Sequence, residues 1–175
     1  MRQIGMDEEK SFVDERILIG ERLLQKDYQP FLVQYAKRGI PPSLRTRMYK
    51  KILYAEITQK EIDYYAQTYE LAAKWETALD DLVMSDIYEI CNDDKYFIFQ
   101  DMMEACVMFF FRDRQVFDLM KLKPHAPIVA QGSNDRPCGV FPQAGTLPCQ
   151  HFSRYCAPFC YISDSKEECY FIFRA

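Results

Sequence analysis

The chain has 175 residues, 49% of them hydrophobic and 15% aromatic, enough for one domain with a real core and too apolar for a disordered chain. Its charges are mixed and sum to −4, which excludes a global basic surface for nucleic acid and leaves only local basic patches open. In chain order, Ser11-Phe-Val-Asp14 reads as a variant capping box, and Val13, Ile17, Leu18, Leu23 and Leu24 form an apolar side behind it. Pro30 suits the first turn of a second helix, FLVQYAKR, which Gly39 stops. Pro41 and Pro42 open a third, to about Tyr54, with Arg45, Arg47, Lys50 and Lys51 interleaved among its apolar residues. Thr58 to Glu61 is a second capping box before a segment in which Ile62, Tyr65, Tyr69 and Ala72 or Ala73 keep helical spacing.

The stretch 96–120 is rich in Met, Glu and Ala and lacks strand alternation, so it reads as one long buried helix closed by Arg112 and Arg114. From Lys121 to Leu147, Pro and Gly accumulate, which predicts a loop, long for a compact domain. A last helix is expected from Ser163 or Asp164, with Glu167 and Glu168 in its first turn. The chain ends inside that apolar helix without a stop signal, so a piece of a longer domain is expected. The class is all-α, with irregularly crossed helices.

Seven cysteines, no signal-peptide core and no apolar run long enough for a bilayer point to a cytoplasmic protein without direct membrane insertion. There is no Gly-rich phosphate loop, no H-E-x-x-H and no G-x-S-x-G. Cys149, His151, Cys156 and Cys160 cluster in sequence, but not at zinc-finger or ribbon spacing; buried cysteines that pack as small hydrophobes explain them more simply, and no metal site is expected. Asp80-Asp81 and Asn92-Asp93-Asp94 fit helix-end capping better than a cation site.

Three separated segments carry a resemblance. GIPPSLRTRMY resembles the opening of the TBC domain, the fold of Rab GTPase-activating proteins, with Arg45 at the family's Arg and Tyr49 where its Trp is expected. LVMSDIYEICNDD is similar to the family's I-x-x-D-x-x-R: Val83 and Asp86 fit, and Glu89 stands in place of the Arg. PCQHFSRYCAPFC, followed by an acidic turn and YFIF, is similar to Y-x-Q-G-M-N with its Ala-Pro pair, and places Gln150 on the Gln, Pro148 on the Tyr and His151 on the Gly. A second register would use Phe141 to Gly145; Ala157-Pro158 and Glu167-Glu168 favour Gln150.

The resemblance implies an irregular multi-helix domain whose N-terminal part spans 37–175, with an inserted loop near 121–147 and a helical lead-in at 1–36. It implies a Rab-family small GTPase as partner, in vesicle trafficking, and recruitment to membranes through that partner. GTP and Mg would belong to the GTPase; the chain needs no cofactor of its own. In such domains the motif Gln orients the water and the motif Arg supplies positive charge in trans. Gln150 can do the first; Glu89 cannot do the second. Arg45, Tyr49 and Asp86 would support the site. Two readings follow: an activator of GTP hydrolysis on a Rab, or a TBC-like module that binds a Rab or another partner without accelerating hydrolysis. A purely structural helical scaffold is a third.

Overall fold

The structure is a computed structural model that describes residues 10–55, 57–74, 77, 79–93, 98–119, 121 and 149–175. Among the described residues there is no strand, so the all-α class holds, and no helix is long and apolar enough to cross a membrane. They divide into two compact units, 10–55 and 57–174.

The first unit packs α1 (Lys10–Lys26), α2 (Gln29–Ala36), a 3-10 turn (Pro42–Leu44) and α3 (Arg45–Ile52) around Leu32, Tyr35, Leu44 and Met48. Chain breakers fall where the sequence puts them. Pro30 sits in the first turn of α2, and Gly39 takes the left-handed conformation after it, at φ +90°. Pro42 enters the 3-10 turn rather than α3 itself, and α3 stops short of Tyr54, whose φ is +55°. Ser11 and Asp14 lie inside α1, so the expected capping box is not formed there. Gly20 lets α1 approach the core: a Cβ there would lie 2.4 Å from Leu44 Cδ1 and 2.9 Å from the Tyr35 hydroxyl oxygen. That hydroxyl donates to the Arg16 carbonyl at 2.5 Å, while the Arg16 guanidinium lies over the Tyr35 ring. Two of the interleaved basic residues are spent inside this unit. Arg47 forms a two-pronged pair with Glu21 at 2.6 and 2.8 Å, and Lys51 reaches Asp27 at 2.9 Å.

The second unit contains α4 (Gln59–Lys74), α5 (Asp80–Asp93), α6 (Gln100–Phe110), α7 (Arg114–Leu119), α8 (Ser153–Cys160) and α9 (Lys166–Arg174). The Thr58–Glu61 capping box forms as read: Glu61 accepts from the Thr58 N–H at 2.8 Å and donates its own N–H to the Thr58 hydroxyl at 3.4 Å. Asp80 does the same work at the start of α5, accepting from the N–H and hydroxyl of Thr77. Helix α6 is the hub, packed against α4, α5, α8 and α9. Its Met103, Ala105, Cys106, Val107 and Phe109 are all buried, which a one-sided amphipathic helix could not achieve.

The 96–120 stretch also differs from expectation. The single helix read over 96–120 breaks after Phe110 and resumes at Arg114. The cause is Asp113, which is fully buried between the two. One of its oxygens accepts from Tyr64 at 2.9 Å and from the N–H of Gln115 at 2.8 Å, so it caps α7. The other accepts from Tyr170 and, at 3.3 Å, from Arg174. A continuing helix would carry this carboxylate away from its partners and leave buried charge uncompensated. Arg112 is likewise no solvated helix-end cation: it is buried and paired with Asp80 at 2.5 Å. The loop read over 121–147 lies outside the described residues, apart from Lys121.

Candidate functional site

Helix α5 turns Val83, Ile87 and Ile90 into the core, the i, i+4, i+7 spacing of one helical face. Asp86 lies beside that face and is buried; Glu89, one turn on, is exposed. The turn that precedes α8 packs against both. Asp86 Oδ1 accepts the backbone N–H of His151, and Oδ2 accepts that of Ser153 at 2.8 Å. The carboxylate of one helix therefore caps the start of another that is more than sixty residues away in sequence. Two amides at the α8 N-terminus favour negative charge, which explains why the Asp86 carboxylate is tolerated in a buried position.

His151 takes a left-handed backbone conformation, φ +66°, in this turn. A non-glycine residue there is strained, and the Asp86 clamp on its N–H holds it. The family's Gly would meet the same requirement without strain. The ring of His151 brings Nδ1 to 3.6 Å from Glu89 Oε1, outside hydrogen-bond range and close enough for an ion pair when the imidazole is protonated. Gln150 sits next to it in the chain, exposed. The structure thus gathers Asp86, Glu89 and the turn bearing Gln150 into one place, from two segments that the sequence separates. Arg45 and Tyr49 belong to the first unit. There Arg45 Nε donates to the Ile40 carbonyl at 3.2 Å, tying α3 to the turn before it, and Tyr49 is half-buried.

The charge at the site is acidic at the positions the resemblance assigns. Of the three arginines that could supply the charge instead, Arg112 is paired with Asp80, Arg114 is exposed at the start of α7, and Arg136 lies outside the described residues. Asp86, Glu89 and His151 each offer an atom within 4.8 Å of the others. Both oxygens of Asp86 are already taken by backbone amides, so the trio is a clamp plus an ion pair before it is a ligand set. The cluster Cys149, His151, Cys156 and Cys160 is not one group: Cys149 is exposed, His151 faces Glu89, and Cys156 and Cys160 point into the core with Cys106 and Cys169. What sequence reading missed is the job of Asp86. Its signal was weak: a single carboxylate on a helix carries no mark of a partner sixty residues on.

With this geometry in place, the chain can be compared with known proteins. It is similar to TBC1 domain family member 19 of Homo sapiens, 26% identical over 182 residues that cover 98% of this chain and 35% of that relative. The match supports a TBC-like domain. The chain spans about a third of the relative's length. No family model matches, and no solved structure matches.

Proposed function

We propose that this chain is part of a TBC-like module that binds a Rab-family small GTPase and accelerates its GTP hydrolysis weakly or not at all. The module would occupy 37–175, with the preceding helices as a lead-in. The observation that carries the reading is Glu89. It stands at the position where the resemblance calls for arginine, 3.6 Å from His151 and beside the turn that bears Gln150. Hydrolysis in trans requires positive charge at the transferring phosphoryl group, and an arginine finger is worth about 10³–10⁵ in rate. In free energy that is roughly 4–7 kcal/mol of barrier. A carboxylate at the same place repels a triphosphate instead of stabilising its transition state. Protonated His151 would be partly neutralised by Glu89 itself.

A second reading, an active GTPase-activating protein, rests on Gln150, exposed on a turn that Asp86 fixes, as a water-orienting side chain needs. The two readings separate in a binding experiment paired with a rate. Rabs loaded with a non-hydrolysable GTP analogue are titrated with the chain and with Glu89→Arg. Saturable binding by both, without faster hydrolysis by the wild type, supports the binding module. Absence of binding to every Rab tested would leave only a structural scaffold.

A further inference from the structure

Four thiols meet in the core of the second unit, from three different helices: Cys106 on α6, Cys156 and Cys160 on α8, and Cys169 on α9. All four are fully buried free cysteines. Cys160 Sγ lies 3.8 Å from Cys169 Sγ and 4.0 Å from Cys156 Sγ, and the sulfurs of Cys106, Cys156 and Cys169 are all within 4.8 Å of one another. None of these distances approaches a disulfide, and Cys156 and Cys160 sit one turn apart on the same helix. The 3.8 and 4.0 Å spacings match something else, though Cys160 stands outside the 4.8 Å trio and would have to draw toward Cys106 to complete it. Four thiolates around zinc at about 2.3 Å form a tetrahedron whose edge is about 3.8 Å. A pair at i, i+4 on one helix and one ligand from each of two neighbours is enough to close such a shell.

We propose that Cys106, Cys156, Cys160 and Cys169 form a structural site for a divalent zinc-class ion. Zinc is favoured because the donor set is four soft thiols in a fully buried position. Loading exchanges four S–H protons, released to solvent, for one ion. The Cys106 thiol gives up its bond to the Lys166 carbonyl, now 3.7 Å, in the process. One buried donor nearby in the chain is left without a hydrogen-bond partner among the described residues: the Ser163 hydroxyl. With the four sulfurs inaccessible from outside, the ion enters as the chain folds.

The consequence reaches the candidate site. Helix α8 would be fixed twice, by Asp86 at its first turn and by the ion on its buried face. The turn of Gln150 and His151 would then stand on a helix locked in place rather than merely packed.

The test uses the 175-residue chain. Zinc is counted by mass spectrometry of the metal in protein purified under reducing conditions. In parallel, the chain is unfolded, reduced, stripped with chelator and refolded with Co²⁺. The expected result is close to one zinc per chain, with thiolate-to-cobalt charge-transfer bands and the strong visible bands of tetrahedral Co²⁺. Cys160→Ser and Cys169→Ser should cut metal content at least tenfold, while Cys149→Ser, which changes an exposed cysteine outside the group, leaves it unchanged. Less than a tenth of an ion per wild-type chain, or metal that survives in Cys160→Ser and Cys169→Ser, would overturn the proposal and leave four thiols packed as small hydrophobes. Should the two serine variants fail to fold, the wild-type stoichiometry and its retention in Cys149→Ser decide alone.

Discussion

Asp86 does its work through two backbone amides, and that makes its removal predictable. In Asp86→Ala the N–H groups of His151 and Ser153 lose their acceptor. A buried donor left unmade costs about 1–3 kcal/mol. Urea unfolding of the variant should give a loss of about 2–4 kcal/mol, with limited proteolysis newly cutting near Gln150. A loss under about 0.5 kcal/mol, the size of an ordinary surface change, would contradict the clamp. A second residue-scale prediction concerns alkali. Burial, the charge of Asp113 and the bond to it push the Tyr64 hydroxyl from 10.0 up to about 12. Burial pushes Tyr65 and Tyr170 up as well. The unfolded chain therefore loses these protons near pH 10 while the folded chain keeps them. Stability is fully present below pH 10 and falls as pH rises toward about 12. Tyr64→Phe should make that fall shallower, measured as unfolding free energy against pH. At this scale Asp86, Glu89 and Gln150 came forward only through the family resemblance of two separate segments. It could not show that Asp86 faces amides, because hydrogen-bond partners distant in sequence leave no local pattern.

Elements with local grammar were readable, and those shaped by distant partners were not. Thr58 with Glu61, Pro30 and Gly39 each act within one turn of themselves, and each falls where its side chain or φ preference requires. The 96–120 stretch is apolar enough for one helix, yet it is split by Asp113, whose partners lie on α4 and α9. Helix α8, with Pro158 inside it, was not among the expected elements; its anchors are Asp86 and the buried cysteine face. Helix α1 comes close to the core of the first unit at Gly20, and this yields a prediction. In Gly20→Val the new side chain meets Leu44 and Tyr35, both buried. Overpacking of this kind costs about 1–3 kcal/mol. Thermal unfolding should show the melting point falling; an unchanged or raised value would mean that α1 stands off from that core.

At the scale of the molecule, the chain forms two compact helical units and spans 35% of a similar protein's length. The all-α class and the TBC-like resemblance were legible together, since three motif segments in order carry more information than any one of them. The charge at the site was legible too: Glu89 is a letter in the sequence, and the structure adds what it faces. The account stands or falls on the consequence of that letter. The most direct measurement is single-turnover GTP hydrolysis on the Rab that binds most tightly, comparing the chain with Glu89→Arg and Gln150→Ala. Weak acceleration at most is predicted for the wild type, with a gain of at least tenfold in Glu89→Arg. Acceleration by the wild type that is lost in Gln150→Ala would contradict it and make the chain an activator whose positive charge comes from elsewhere.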